Sequence, residues 1–181
     1  MSRWEKTRRE ARKPRNQSTE PKKRILVVCE GQTEVAYINW YKSRCKNNLV
    51  EVTLPKIHEK TTPRELVNYA KESKSRNQQK AIFSENRFVN YDEVWCVFDR
   101  DEHPYFEQSI HTAKASNIKL AISIPCFELW VYLHIQESPG MQHHQKMLKM
   151  VKKIKPDYKK GHDYDFESNF TMNEIELALN R

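Results

Sequence analysis

Apolar residues along the chain fall into two short unbroken runs and several helical stripes. Ile25-Leu26-Val27-Val28-Cys29 and Val94-Trp95-Cys96-Val97-Phe98 are continuous, the pattern of strands covered on both faces, as in parallel sheets. Val50, Val52 and Leu54 alternate with polar residues up to Pro55, predicting a strand with one less buried face. Leu120 to Ile124 predicts a fourth strand. After Gly31, Thr33 is placed to cap a helix in which Tyr37, Ile38, Trp40, Tyr41 and Cys45 recur at helical spacing to about Asn47. Thr62-Pro63-Arg64-Glu65 forms a capping box with proline at the first helical position. The helix it opens carries Leu66, Val67, Tyr69 and Ala70, with the polar residues Ser73 to Lys80 as a frayed end and loop. Pro104 opens a helix with Phe106, Ile110 and Ala113, ending near Asn117. Cys126 to Ile135 is a short apolar helix holding a single acid, Glu128. Met147, Val151 and Ile154 mark another amphipathic helix, and Thr171 with Glu174 forms a second capping box before Ile175 and Leu179. Strands and helices alternate from Ile25 onward, which predicts an α/β fold: a mainly parallel sheet with helices on both faces, in one domain over residues 25–181.

Charge changes the picture at one end only. The 181 residues carry a formal charge of +8. Residues 1–24 hold ten basic and three acidic residues, a net of +7, while residues 25–181 hold 22 basic and 21 acidic ones. With Pro14, Pro21 and little apolar beyond Trp4, residues 1–24 read as a disordered basic arm. No apolar run reaches the roughly 20 residues of a membrane helix, and the basic N-terminus lacks the apolar stretch of a signal peptide, so a cytoplasmic protein with no membrane partner is expected. Cys29, Cys45, Cys96 and Cys126 occur singly and read as reduced thiols, with neither a disulfide nor a zinc site. Three glycines are too few for a P-loop or a dinucleotide-binding turn.

The candidate chemistry is carboxylate chemistry. Ligands bind open parallel sheets outside the carboxyl ends of the strands. There, Glu30 follows the first strand, and Asp99 and Asp101 follow the third. Residues two apart on extended chain face the same side, so Asp99 and Asp101 can address one ion, with Glu30 as a third ligand. Hard oxygen donors suit Mg²⁺ or Mn²⁺ and leave room for a substrate phosphate. The bland alternative makes Glu30 and Glu34 helix N-terminal acids and the two aspartates loop caps.

Ile25 to Glu34, ending Cys29-Glu30-Gly31-Gln32-Thr33-Glu34, resembles the strand-Glu-Gly motif of the TOPRIM fold, and Val97-Phe98-Asp99-Arg100-Asp101 resembles its strand-DxD motif. That fold is shared by topoisomerases, bacterial primases, OLD-family nucleases and RecR-type repair proteins. Asp92 to Asp101 and Ser123-Ile124-Pro125-Cys126-Phe127-Glu128-Leu129-Trp130 resemble, more narrowly, the RloB-like proteins, a compact TOPRIM branch of restriction and phage-defence loci, often beside an ATPase. The resemblance implies Glu30, Asp99 and Asp101 as catalytic and metal-holding residues, and Glu34 and Glu128 as further metal ligands, although Glu128 can instead cap a neighbouring backbone group. Tyr158-Lys159-Lys160-Gly161 resembles a later family stretch, with Lys160 as the phosphate contact. The chain has no room for a topoisomerase's gate and no cysteine pattern for a primase's zinc. What is implied is a Mg²⁺- or Mn²⁺-dependent nuclease acting on DNA or RNA in phage defence or abortive infection, with an ATPase encoded nearby as a further partner. The rival is a catalytically silent module of the same fold that binds nucleic acid or the ATPase. A haloacid-dehalogenase-like phosphatase using Asp99 as nucleophile fits less well, because His103 stands where those enzymes place Thr or Val.

Overall fold

A computed structural model describes residues 23–46, 48–53, 62–100, 105–161 and 163–181. Four strands, β1 (Ile25–Cys29), β2 (Val50–Thr53), β3 (Glu93–Asp99) and β4 (Lys119–Ser123), form one sheet in the order β2-β1-β3-β4. Every pairing is parallel. Among the described residues the helices are α1 (Gln32–Arg44), α2 (Pro63–Phe83), α3 (Phe106–Ala115), α4 (Phe127–Leu133), α5 (His144–Ile154), α6 (Phe166–Asn169) and α7 (Met172–Leu179). This is the expected Rossmann-like α/β architecture. None of these helices is long and apolar enough to cross a membrane.

Alternation along the central strands divides the core. Leu26, Val28, Val94, Cys96 and Phe98 point to one face and pack with Leu66, Val67 and Ala70 of α2 and Ala113 of α3. Val27, Cys29 and Val97 point to the other, where Val35 and Ile38 of α1 meet them. Helix α1 has a second apolar side: Tyr37 and Trp40 turn away from the sheet into a cluster with Phe127, Val131, Val151, Phe166 and Ile175. The helix is therefore held between the sheet and a layer built from α4 to α7, and both of its apolar stripes are used.

Three expectations need correction. Helix α2 does not fray at Ser73 but continues to Phe83. Its distal residues, rich in Lys, Arg and Gln, are good helix formers despite their polarity, and the Lys74 ammonium donates to the carbonyls of Ser116 and Asn117 beyond α3. Thr33 does not cap α1; Gly31 occupies that position, and the buried Thr33 hydroxyl instead accepts the Gly161 N–H at 2.8 Å. The short α6 has no counterpart among the expected elements. Both capping boxes form as expected, Thr62 with Glu65 and Thr171 with Glu174. Residues 1–22 of the expected arm, together with Asp101, His103 and Pro104, lie outside the described residues. Lys23 and Arg24, placed at the arm's end by composition, are tied to the sheet: Lys23 pairs with Glu93 at 2.8 Å and the Arg24 N–H donates to Asp92 at 2.7 Å.

Glu93 joins three strands at the end of the sheet opposite the strand carboxyl termini. It accepts from Lys23, which precedes β1, from Lys119 of β4 at 2.9 Å, and from the Trp95 indole at 3.0 Å. These donors hold its carboxyl at about 2, below the ordinary 4.5. Since the folded state favours the ionised form, Glu93 contributes stability above pH 4.5 that is lost as pH falls towards 2. Both lysines are well exposed, Lys23 at 65% and Lys119 at 49%, so solvent screening limits the effect. Glu93→Gln is expected to cost about 1 kcal/mol in urea denaturation at pH 7, with the gap to wild type narrowing at pH 3.5. A gap that widens on acidification would contradict this assignment.

Candidate functional site

The strand order fixes where the acids meet. From β1 the chain crosses to β2 on one side, and from β2 it returns past β1 to β3, so the loops after β1 and β3 diverge at a topological switch point. Register completes the placement. Cys29 is paired with Val97 and the Glu30 N–H extends the ladder to the Val97 carbonyl at 2.9 Å, which sets Glu30 level with Phe98, one residue before Asp99. The Glu30 carboxylate accepts the Asp99 N–H at 3.1 Å. Glu30 thus reaches the main chain of Asp99 and is turned onto the backbone of β3.

Glu34, in the first turn of α1, is buried at 6 % exposure. Its carboxylate folds back over the helix start so closely that a Cβ on residue 31 would lie 2.6 Å from Oε2. A side chain at position 31 would make this carboxylate shift. Glu128, in the first turn of α4, is 1 % exposed. Among the described residues it caps no backbone group: Oε1 accepts the Tyr158 hydroxyl at 3.3 Å and pairs with the Lys160 ammonium at 2.8 Å.

The loop after α5 delivers both partners. Tyr158 is buried, with its ring 4.8 Å from that of Tyr164. Gly161, at φ +119°, adopts a backbone conformation that favours glycine and directs its N–H to Thr33. These two anchors hold Lys160 against Glu128. Lys160, expected to contact phosphate, is paired here with the Glu128 carboxylate.

Burial and crowding show in the proton affinities. Desolvation first, then the charges of Glu34, Glu30 and Glu128, raise the Asp99 carboxyl to about 8, with Lys160 opposing them. Burial likewise raises Glu34 to about 6; its own backbone N–H and Lys160 resist, while Glu30 and Glu128 add to the rise. Burial works against the Lys160 ammonium, but Glu128 outweighs it and keeps its pKa above the ordinary value. The Cys126 thiol is pushed up to about 12 by burial and by Glu128. The structure therefore gathers Glu30, Glu34, Asp99, Glu128 and Lys160 into one pocket. Two buried carboxylate oxygens there, Asp99 Oδ1 and Glu128 Oε2, have no hydrogen-bond partner among the described residues.

The chain belongs to the RloB-like family. The family model for RloB-like proteins matches residues 25–181, which spans every element of this fold and every acid of the pocket. No curated protein matches the chain. In this RloB-like chain no group of three or more His, Cys, Asp and Glu side chains is spaced to hold a metal ion among the described residues, which do not include Asp101. Glu30 is occupied by the Asp99 N–H, and Glu128 by Lys160. Composition did not single out Tyr158 or the structural role of Thr33. The only signal for Tyr158 was its place beside Lys160 in the stretch that resembles the family.

Because folded Asp99 keeps its proton up to about pH 8 while the unfolded chain loses it near 3.8, the unfolded state binds fewer protons between these limits, and stability falls as pH rises. Asp99→Asn removes the repulsion. In urea denaturation with chelator present, the variant is expected to become more stable than wild type between pH 5 and pH 8, by at least about 1 kcal/mol at the upper end. A wild type that gains stability over this range would contradict the arrangement.

Proposed function

We propose that this RloB-like protein hydrolyses phosphodiester bonds in DNA or RNA with the help of Mg²⁺ or Mn²⁺. The observation that carries the reading is the pair of unpartnered buried carboxylate oxygens, Asp99 Oδ1 and Glu128 Oε2, in a pocket where four acids meet at a sheet switch point. Burying such oxygens without a donor is costly, and a hard cation is the group that best offsets that cost. Asp99 and Asp101 would hold the ion, with Glu30, Glu34 and Glu128 as the remaining acids around it. When bound, a divalent ion supplies Lewis-acid polarisation of the phosphate.

The protein's own groups do the rest. Glu30, which accepts the Asp99 N–H, would move a proton to or from the attacking or leaving oxygen. Lys160 is the phosphate contact once Glu128 releases it. The strand-Glu-Gly and strand-DxD order supports a TOPRIM relationship with the OLD-family nucleases, and with it a role in phage defence beside an ATPase. A second reading, a silent nucleic-acid-binding or ATPase-binding module, is favoured by the Lys160–Glu128 pair, which gives the acids an internal cation.

Full-length protein offered labelled DNA and structured RNA with Mg²⁺ or Mn²⁺ separates the two. The nuclease reading expects cleavage that chelator abolishes and that Asp99→Ala lowers by at least about 100-fold. Equal cleavage by both proteins would remove the pocket from the chemistry, and no cleavage of either substrate would favour the silent module.

A further inference from the structure

Positive charge in the body of the protein is concentrated on α5 and the loop that follows it. Residues 146–160 contain seven lysines and one acid, whereas the other residues of 25–181 contain 15 basic and 20 acidic ones. The near-neutral total hides a strong segregation. On α5, Met147 and Val151 are buried, and Lys146, Lys149, Lys152 and Lys153 are all exposed. At 100° per residue these four lysines cover an arc of about 120° opposite the apolar stripe.

Two ordinary explanations fail. Basic residues late in a helix offset its dipole, which accounts for Lys152 and Lys153, but Lys146 stands in the first turn, where no acid accompanies it and positive charge is unfavourable. Nor are the lysines there to make ion pairs. Among the described residues none of the four has a carboxylate partner. They also repel one another, because Lys146 and Lys149 are three apart, and Lys149 and Lys153 four apart.

The helix is joined to the acidic pocket at both ends. At its start the His144 carbonyl lies 4.0 Å from the Cys126 sulfur, whose proton affinity is raised by burial first and then by Glu128 and Asp99. Beyond its end the chain returns through exposed Lys159 to Lys160 on Glu128.

We infer that the exposed face of α5 is the surface along which the sugar-phosphate backbone of a nucleic acid lies, leading it through Lys159 to the acidic pocket. This rests on the phosphodiester reading of that pocket and adds to it the surface that receives the substrate. Spaced ammonium groups on a solvated helix face match a chain of phosphates and carry no base specificity.

The test compares two triple variants of the full chain that lose the same charge. Lys146→Gln/Lys149→Gln/Lys153→Gln alters α5, while Lys71→Gln/Lys80→Gln/Lys114→Gln alters exposed lysines on α2 and α3, across the sheet. Fluorescence anisotropy with a 24-base-pair DNA duplex and with an RNA duplex of equal length, in chelator so that nothing is cleaved, reads affinity against salt. The α5 variant is expected to bind at least one of the duplexes about tenfold more weakly, and its log-affinity against log-salt slope to shrink by about two to three. The control variant should change less than about twofold. Which duplex responds identifies the polymer. Equal effects of the two variants, or none, would overturn the inference. So would an α5 variant that loses binding to phosphatidylserine vesicles while duplex binding is kept. The assay needs no turnover: a weakened α5 variant beside an inactive wild type retires the catalytic reading and keeps the track, while Asp99-dependent cleavage with undiminished α5 binding does the reverse.

Discussion

Carboxylates held together away from water repel one another and lose their hydration, and the fold sets four of them, Glu30, Glu34, Asp99 and Glu128, at the carboxyl end of its two central strands. The effect is largest at Asp99, whose proton is retained to about pH 8, and smaller at Glu34, at about 6. Lys160 answers part of this through its pair with Glu128. The unpartnered oxygens of Asp99 and Glu128 mark what one ammonium leaves uncompensated. An isolated arrangement of this kind would relax by moving apart or admitting water, so the surrounding structure must prevent both.

It does so by fixing each acid to a different rigid element. Ladder register places Glu30 beside Asp99. The missing side chain at Gly31 lets Glu34 fold back at the start of α1. That helix cannot shift, because Ile38 meets the sheet and Tyr37 and Trp40 are locked in the aromatic cluster of the outer helices. The same outer layer carries Glu128 on α4 and the loop bearing Tyr158 and Lys160, and the Gly161–Thr33 hydrogen bond closes it onto α1. Site and core are coupled: the packing that buries the aromatic residues also holds the charges together.

The strands were legible because both faces of β1 and β3 are covered, so their apolar runs are unbroken, and the alternation with helices then fixed a parallel sheet. From that sheet rule alone Glu30 and Asp99 could be singled out. The length of α2 was not legible, since a polar helix held by Lys74 on distant carbonyls has no hydrophobic period to reveal it. Thr33 misled for a similar reason: a threonine near a helix start reads as a cap, while its true partner is 128 residues away. Lys160 was placed in the site by resemblance, but its engagement with Glu128 depends on a loop whose course only the buried Tyr158 and the left-handed Gly161 determine.

Crowding of acids that invites a hard cation is most directly measured by carbon-detected NMR titration of the side-chain carboxyls in the full chain, first with chelator and then with Mg²⁺. Midpoints near 8 for Asp99 and near 6 for Glu34 are expected without the ion, both falling when Mg²⁺ is added. Midpoints near the ordinary value of about 4 for both residues, unmoved by Mg²⁺, would contradict the account.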